Sequence, residues 1–295
     1  MSGLRVSIII PAYKAARTIG RALDSVFAQT RLPEEILVID DGSPDDLASA
    51  VAAYGSQVTL IRKPNGGAAS ARNLGIESSC ADLIAFLDAD DYWEPTKLDR
   101  QLSIFQRHPE LGLIGSRFFT QIPGQAPVPP DDKPDATYDR VKVASGEEAF
   151  CLSTKIWTST VLVRREALGA QRFECGLEVA EDRDLWVRLV SANPVYLIGK
   201  PLATAVLEPG SLSRSSVDVA YSDTLRVVRR HAALLGSKGL RSWEGRVFKS
   251  WAGGHLANGR PRAAIGPAWR RVSRQPFSPE AWWVLLKSAS LACAS

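Results

Sequence analysis

The sequence predicts an α/β fold with a mostly parallel, Rossmann-like sheet flanked by helices, followed by a C-terminal helical appendage. Short apolar runs alternate with helix-like segments over about the first hundred residues, which is the pattern of βαβ units. Acidic residues follow two of the predicted strands directly, and ligands bind beyond the carboxyl ends of the strands in such sheets. The fold class therefore also predicts where the polar chemistry lies.

The predicted elements follow one another in a regular order at the start of the chain. Strands are predicted at 6–10, 36–39, 58–61 and 83–87, because these runs are short, apolar and bounded by turn residues. Pro11 is expected to end the first strand, because proline has no N–H for the ladder. Helices are predicted at 15–29, 45–54, 68–78 and 93–108 from apolar residues at helical spacing.

The pattern is less regular after residue 108. Residues 120–140 predict a loop, Ser145 predicts a capping box that opens a short helix, residues 159–163 predict a strand, and a helix is expected to start near Glu181. From Tyr221 onward the pattern is helical, with breaks predicted at 236–239, 261, 267 and 276–279. We therefore predict two domains, at 1–220 and 221–295.

Composition and length indicate an ordered globular protein. The chain has 295 residues, of which 45% are hydrophobic and 23% charged. The four cysteines, Cys80, Cys151, Cys175 and Cys293, form no C-x-x-C pair, which argues against a zinc site and a disulfide framework and favours reduced thiols. The N-terminus lacks the pattern of a signal peptide, and no run approaches the ~18 apolar residues of a membrane span. These features predict a cytoplasmic protein.

Charge is distributed unevenly along the chain. Residues 221–295 carry 13 Lys and Arg against 3 Asp and Glu, a net charge of +10, whereas the whole chain carries only +4. Five of the eight Trp also lie there. The region is either a peripheral membrane surface or a helical appendage whose Trp residues pack inward. No nucleic-acid-binding module is recognisable, so nucleic acid is not an expected partner.

Asp88-Ala-Asp90 follows the fourth predicted strand and is a candidate metal site. Mg²⁺ is usually held by one or two carboxylates together with substrate phosphate oxygens. A cation in this position would neutralise charge on a departing diphosphate. The alternative is that D-x-D is a common turn tripeptide, and the sequence leaves this open.

Two further segments suit a nucleotide. Asp41 follows the second strand and can accept a hydrogen bond from a base N–H or a ribose hydroxyl, or it can serve as a turn residue. The segment 65–75 places glycines before a helix and Arg72 within its first turns, and backbone N–H groups and a bidentate cation both suit a diphosphate. A tight turn with a surface arginine is the alternative.

Glu181 and Asp182 form a second acidic group, far from Asp88 in sequence. Acidic residues are common at helix starts, where the helix dipole stabilises them and lowers a carboxylate pKa. A sugar hydroxyl nevertheless needs a carboxylate within hydrogen-bond reach to take its proton during attack. Both interpretations remain open from the residues alone.

Together these segments resemble family 2 glycosyltransferases of the GT-A fold. The likeness covers about residues 5–215, and the order and spacing of its blocks match. The matching blocks are Val6–Tyr13 (VSIIIPAY), Ile36–Ser43 (ILVIDDGS), Asn65–Gly75 (NGGAASARNLG), Phe86–Trp93 (FLDADDYW) and Ala180–Leu189 (AEDRDLWVRL).

The resemblance implies an inverting transfer of a sugar from a nucleoside diphosphate to an acceptor hydroxyl. It implies a UDP- or dTDP-linked donor, Mn²⁺ or Mg²⁺ as cofactor, and a carbohydrate or lipid-linked acceptor in bacterial surface polysaccharide or glycolipid synthesis. Asp182 would be the base, with Glu181 as a supporting acid, and Asp90 together with Asp88 would hold the metal. The residues implied at the donor are Pro11, Ala12, Tyr13, Asp41, Arg72, Asp88 and Ala89.

Some features depart from the family pattern or match it weakly. Relatives often have Asn where this chain has Lys14. A late His sometimes adds a metal ligand, and His231 and His255 are the candidates here. The segment 208–213 resembles, more weakly, one that borders the acceptor.

Three other functions are conceivable on the same scaffold. A nucleotidyltransferase would need a glycine-rich basic loop after the first strand, and a nicotinamide enzyme would need G-x-G-x-x-G there; both are absent. A nucleotide-sugar-binding module would need neither the metal carboxylates nor Asp182.

Overall fold

The computed structural model describes residues 3–208 and 216–294. The chain divides into two compact units: an N-terminal unit of Met1–Gly176 with Glu181–Pro209, and a C-terminal unit of Leu177–Ala180 with Gly210–Ser295. That these units are separate domains, with a boundary after residue 220, stays a prediction. The segment 208–213, expected near the acceptor, lies outside the described residues except for Glu208.

The N-terminal unit contains one mixed sheet. Its strands in the described part of the chain are β1 (Val6–Ala12), β2 (Glu35–Asp40), β3 (Thr59–Arg62), β4 (Leu83–Phe86), β5 (Tyr92–Trp93), β6 (Leu113–Gln121), β7 (Val141–Lys142), β8 (Leu162–Arg164) and β9 (Val195–Val206). The order is β3-β2-β1-β4-β8-β6-β9-β5, with β7 paired to β9. The longer pairings, β1 with β2 and β4, β2 with β3, and β6 with β9, are parallel. The predicted α/β fold with a mostly parallel sheet is confirmed.

Helices follow the strands on both sides of the sheet. In this unit they are α1 (Ile19–Phe27), α2 (Leu47–Ala52), α3 (Gly67–Ser78), α4 (Lys97–Arg107), α5 (Gly146–Ser153), α6 (Arg165–Leu168) and α7 (Glu181–Ala192). Alternate residues of β1 enter different apolar layers: Ile8 packs in the core with α1 and α4, and Ile9 in the core with α3 and α7. Two apolar layers therefore sandwich the sheet.

Three local predictions differ from the structure. β1 continues through Pro11 to Ala12, because Pro11 faces the β4 side, where pairing already ends at Ile9. No N–H is therefore missing from a ladder. Ser145 precedes α5, but its side chain makes no capping hydrogen bond. β6 and β9 had not been predicted, since their pairing joins segments that lie far apart in sequence.

The C-terminal unit is helical, as predicted. Its helices are α8 (Val217–Arg230), α9 (Ala232–Ala257), α10 (Pro261–Arg274) and α11 (Pro279–Ala294). The backbone of α9 leaves the helical conformation at Gly236 (φ 64°, ψ 175°), within the break predicted at 236–239. Pro267 lies inside α10, so the break predicted there is wrong. Of the Trp residues, Trp243 and Trp251 are buried, whereas those of α10 and α11 are exposed. In the described residues no helix has both the length and the apolar character to span a membrane.

Candidate active site

The ends of the first two matching blocks, 6–13 and 36–43, lie side by side at the carboxyl ends of β1 and β2. The Asp41 N–H donates to the Ala12 carbonyl at 2.9 Å, so Pro11 and Ala12 run next to Asp41. Ala12 is buried, but the Tyr13 side chain is 47% exposed and presents its ring to solvent. Such a ring is available for stacking against a base.

Lys14 has an unusual backbone conformation at this edge. Its φ is +53°, in the left-handed region, where Asn is several-fold enriched over other non-glycine residues. Its N–H donates to Ser43 Oγ at 3.1 Å, which connects the end of β1 to the turn after β2. The Asn that relatives often carry here suits this backbone better than the lysine does.

Asp41 holds the glycine segment that opens α3. Its buried carboxylate accepts hydrogen bonds from the Gly66 N–H at 2.9 Å and the Gly67 N–H at 2.7 Å. Lys63 Nζ forms an ion pair with the same carboxylate. Lys63 was not singled out from the sequence, because a lysine at the end of a strand is ordinary. The Asp41 carboxylate thus already shapes the loop beside the strand ends.

Arg72 joins the two acidic groups that are distant in sequence. Its Nη2 lies 2.7 Å from Asp88 Oδ1 and its Nη1 2.6 Å from Glu181 Oε1. Burial alone would lower the pKa of Arg72, but Asp88 and Glu181 raise it above its ordinary value. The guanidinium therefore stays charged and holds the end of β4 against the start of α7. Arg72 is therefore a buried ion-pair partner and not the surface arginine that the sequence left open as an alternative.

The carboxylates after β4 differ in what surrounds them. Burial and the Asp88 carboxylate raise the pKa of Asp90 to about 6. Asp91 is buried and accepts hydrogen bonds from Ser159 Oγ at 2.6 Å, Trp157 Nε1 at 2.9 Å and the Val206 N–H at 2.9 Å. Burial, Asp88 and Asp90 together raise the pKa of Asp91 to about 8. The Asp91 carboxylate is therefore held by three hydrogen bonds, whereas the charged form of Asp90 is disfavoured by burial and by Asp88. Ala89, between Asp88 and Asp90, is buried.

Asp182 is oriented by a hydroxyl that the sequence did not reveal. Its Oδ2 accepts a hydrogen bond from Thr158 Oγ1 at 2.8 Å, and its Oδ1 accepts one from the Arg183 N–H at 2.6 Å. Trp186 Nε1 donates to the same Thr158 hydroxyl at 3.4 Å. Glu181, beside it, is buried, and burial raises its pKa while Arg72 opposes the rise. For Glu181 this reverses the lowered pKa expected from the helix dipole.

The turn Thr158–Thr160 connects both acidic groups. Thr158 bonds Asp182, while Ser159 Oγ bonds Asp91 and accepts the Asp88 N–H at 3.1 Å. The pattern had suggested a strand from residue 159, but the strand β8 starts only at Leu162. Hydroxyl residues are common in turns, so no local signal marked these two.

The donor set fits a hard cation that is shared with a ligand. No cluster of three or more His, Cys, Asp or Glu within residues 3–208 and 216–294 could hold a metal by itself. Asp88 and Asp90 offer carboxylate oxygens, and burial together with the Asp88 carboxylate raises the pKa of Asp90. This suits Mg²⁺ or Mn²⁺ coordinated partly by phosphate oxygens. His231 and His255 belong to the C-terminal unit, where His255 Nε2 lies 3.0 Å from Asp218 Oδ1.

Solved structures share this fold. Against S. aureus TarS 1-349 in complex with UDP-GlcNAc the TM-score is 0.62 at 16% identity, covering 92% of this chain and 89% of that one. Against the mannosyltransferase PcManGT from Pyrobaculum calidifontis, in complex with GDP-Man and Mn²⁺, it is 0.61 at 17% identity, covering 99% and 81%. At these identities the likeness concerns the fold alone, and it agrees with the GT-A type that was predicted.

Sequence comparison identifies the family. The chain is 30% identical over 194 residues to an uncharacterised glycosyltransferase of Rickettsia typhi, covering 65% of this chain and 60% of that one. It is 30% identical over 223 residues to the amylovoran biosynthesis glycosyltransferase AmsB of Erwinia amylovora, covering 69% and 70%. The chain thus spans less than two thirds of the rickettsial relative. The model of Glycosyl transferase family 2 matches residues 7–163, more than half of the chain. The chain belongs to glycosyl transferase family 2.

Proposed function

We propose that this chain is a metal-dependent, inverting glycosyltransferase that moves a sugar from a UDP- or dTDP-linked donor to an acceptor hydroxyl. One observation carries the proposal: Arg72 pairs with both Asp88 and Glu181, so that the carboxylates after β4 and those at the start of α7 meet at one site. A direct displacement needs these two groups together, one beside the leaving diphosphate and one beside the attacking hydroxyl.

The donor lies along the strand ends in this proposal. Pro11, Ala12 and Tyr13 line the base and ribose, and Asp41 hydrogen-bonds the base while it keeps the glycine segment in place. Arg72, Asp88 and Ala89 lie beside the diphosphate end. The UDP-GlcNAc complex of TarS supports a nucleotide-sugar donor on this fold.

Asp90, with Asp88, holds Mn²⁺ or Mg²⁺ in this proposal. When bound, the cation supplies charge stabilisation to the departing nucleoside diphosphate. Burial and the Asp88 carboxylate disfavour the charged form of Asp90, which a cation would stabilise. The Mn²⁺ complex of PcManGT supports metal use on this fold. The role of Arg72 is then to hold Asp88 in place, because both of its Nη groups are bonded to carboxylates.

Asp182 is the base. One of its carboxylate oxygens takes the proton of the acceptor hydroxyl as that oxygen bonds to the anomeric carbon. The bond from the anomeric carbon to the diphosphate oxygen breaks on the opposite face, which inverts the configuration. Thr158 and the Arg183 N–H orient the carboxylate, and Glu181 supports it through the pair with Arg72.

The proposed setting is the synthesis of a bacterial surface polysaccharide or glycolipid, with a carbohydrate or lipid-linked acceptor. The likeness to AmsB, a protein of amylovoran biosynthesis, supports it. We place the protein in the cytoplasm, with peripheral contact at the inner face of the membrane through the basic C-terminal region.

Calorimetric titration tests the donor site. UDP, dTDP and GDP are titrated with and without Mn²⁺ into the wild type and into Asp90→Ala, with Asp131→Ala, an exposed loop residue, as the matched control. We expect metal-dependent binding of UDP or dTDP that Asp90→Ala loses and Asp131→Ala keeps. Binding of GDP but not of UDP or dTDP would overturn the proposed nucleobase of the donor. Equal binding by the wild type, Asp90→Ala and Asp131→Ala would overturn the role of Asp90.

Asp182→Asn distinguishes a transferase from a binding module. The amide keeps the shape and the Thr158 contact but cannot accept the proton, so we expect donor binding without transfer. Retained turnover would contradict the assignment of the base. Release of pyrophosphate from a nucleoside triphosphate by the wild type would instead favour a nucleotidyltransferase.

A further inference from the structure

The C-terminal unit presents an apolar helix face. The large exposed residues of α11 are Trp282, Trp283, Leu286 and Leu291. Lys287 is the only charged residue between positions 281 and 294. A surface helix of a water-soluble protein normally turns charged and polar residues outward. An exposed apolar face of this kind marks a binding surface.

The turn between α10 and α11 extends this face. The Phe277 side chain is 98% exposed. The Trp269 ring, on α10, lies 6.4 Å from the Trp282 ring, and Trp282 Nε1 donates to the Pro276 carbonyl at 2.8 Å. We call Trp269, Phe277, Trp282, Trp283, Leu286 and Leu291 the aromatic surface. Its aromatic side chains are of the type that concentrates at the boundary between lipid headgroups and acyl chains.

Arginines of α8 and α10 line a pocket in the same unit, and one of them, Arg270, follows Trp269 directly in α10. The pocket has a volume of about 380 Å³ and is lined by Leu225, Arg229, Phe248, Arg270, Ser273 and Arg274. The buried Glu244 pairs with Nε of Arg229 at 2.7 Å and with Nε of Arg274 at 2.5 Å, which orients both guanidinium groups. Among the described residues no carboxylate pairs with Arg270. Three guanidinium groups beside one carboxylate leave a positive site that suits a phosphate group.

We propose that the aromatic surface and the arginine pocket together bind an anionic phospholipid membrane. The arginines contact lipid phosphates, and Phe277 and the Trp side chains enter the headgroup region. The net charge of +10 on residues 221–295 adds attraction to such a surface. The proposal rests on the proposed function, which includes a peripheral membrane contact, and it names the residues and the lipid of that contact. Sugar transfer does not depend on it and can be tested separately.

Charge complementarity favours a membrane over a second copy of the chain. A symmetric dimer would bring the same patch of two copies together, arginine pockets included, and like charges facing each other oppose association. An anionic bilayer meets both parts of the surface, since it offers phosphates to the arginines and an apolar interior to the aromatic rings.

Vesicle binding of the full chain tests the proposal. Vesicles of phosphatidylcholine, alone or mixed with phosphatidylglycerol, are sedimented with the wild type and with Arg270→Glu/Lys287→Glu. Arg270 is chosen because its reversal leaves the two pairs of Glu244 intact. We expect binding to the anionic vesicles only, weakened roughly tenfold or more by the double reversal. Phe277→Ser/Trp283→Ser, which changes no charge, should weaken it as well.

The control reverses the same amount of charge elsewhere in the unit. Lys238→Glu/Arg241→Glu changes two exposed residues of α9, which lie about 10 to 15 Å along that helix from Phe248. This control variant should bind the anionic vesicles as the wild type does. Equal losses in both double reversals would overturn the local site in favour of a diffuse charge effect. Circular dichroism of every variant shows that it is folded.

Other outcomes would identify a different occupant. In one such outcome the wild type binds inorganic phosphate but neither kind of vesicle, and Arg270→Glu/Lys287→Glu removes the phosphate binding. That result would mean a soluble phosphate ligand and would overturn the proposed membrane binding. A dimer in sedimentation equilibrium that Phe277→Ser/Trp283→Ser dissociates, again without vesicle binding, would mean a second copy. UDP titration of the same variants should match the wild type, so that a failure here stays distinct from a failure of the proposed function.

Discussion

Thr158 shows how one hydroxyl can decide the geometry of a candidate base. It donates to Asp182 Oδ2 and accepts from Trp186 Nε1, so the position of the carboxylate depends on a turn and on a ring of its own helix. A carboxylate held in this way keeps one orientation without losing its capacity to accept a proton.

We predict that Thr158→Val lowers kcat about 10- to 100-fold and leaves the affinity for the nucleotide unchanged. A hydrogen bond to a charged group contributes about 1.5–3 kcal/mol, and valine keeps the shape while removing the hydroxyl. Steady-state kinetics with the donor found by titration measures the effect. Thr158→Ser is the matched control and should keep most of the activity; a wild-type kcat in Thr158→Val would contradict the positioning role.

The proposed metal site needs Asp90 in its charged form, whereas the fold disfavours that form. Its pKa is about 6 in the fold against an ordinary value of 3.8, because burial and Asp88 disfavour the charged form. The stability penalty is therefore fully present above pH 6 and is relieved as the pH falls through 6 toward 4.

We predict that Asp90→Asn raises the free energy of unfolding by about 1–2 kcal/mol at pH 8 in the absence of metal, and that the gain disappears near pH 4. Urea unfolding at both pH values tests this. Asp131→Asn, on an exposed loop, should change little at either pH. A gain that is larger at pH 4 than at pH 8 would show that the carboxylate is not disfavoured in the fold.

At the scale of elements, the packing of α3 against β1 brings the glycine segment at the start of α3 to the strand ends. Gly75 lies where a Cβ would come within 2.4 Å of Ile9 Cγ2, so only glycine permits this approach. The same helix carries Arg72, and its distance from the sheet therefore sets the place of the ion pairs with Asp88 and Glu181.

We predict that Gly75→Ala destabilises the protein by about 1–3 kcal/mol, because overpacking outweighs the better helix propensity of alanine. Gly253→Ala in α9 is the matched control. No atom lies within 4 Å of its added Cβ, so it should stabilise by up to about 1 kcal/mol. Thermal unfolding separates the two; stabilisation by both substitutions would mean that α3 can move away from β1.

At the scale of the whole molecule, the two units differ in architecture and in charge. The N-terminal unit contains the sheet and the candidate active site. The C-terminal unit contains α8 to α11 and residues 221–295, whose net charge is +10 against +4 for the whole chain. A ligand that binds one unit stabilises that unit by mass action.

We predict two transitions in calorimetric unfolding, of which UDP with Mn²⁺ raises only one. At a nucleotide concentration of about 100 times Kd the stabilisation is about 2.7 kcal/mol, which shifts a transition by several degrees. Asp90→Ala should cancel the shift. A single transition that moves as a whole would show that the two units unfold together and would contradict separate domains.

The sequence by itself determined the alternation of strands and helices, the edge of the sheet where the motifs meet, and the family. The first two follow from local periodicity and from residue types at strand ends, which a short window of sequence contains. The family follows from the resemblance of the five sequence blocks to family 2 glycosyltransferases. Thus β2 and β4 were predicted within one residue of their ends, with Asp41 and Asp88 just after them.

Only the tertiary structure decided which carboxylates are free and which are held. Asp91 accepts three hydrogen bonds, and burial raises the pKa of Asp90. Arg72 bridges Asp88 and Glu181, and Thr158 orients Asp182. The parallel pairing of β6 with β9 was likewise missed. These contacts join segments far apart in the chain, and their energies depend on register and burial. Local sequence contains neither, so tertiary packing alone could assign these partners.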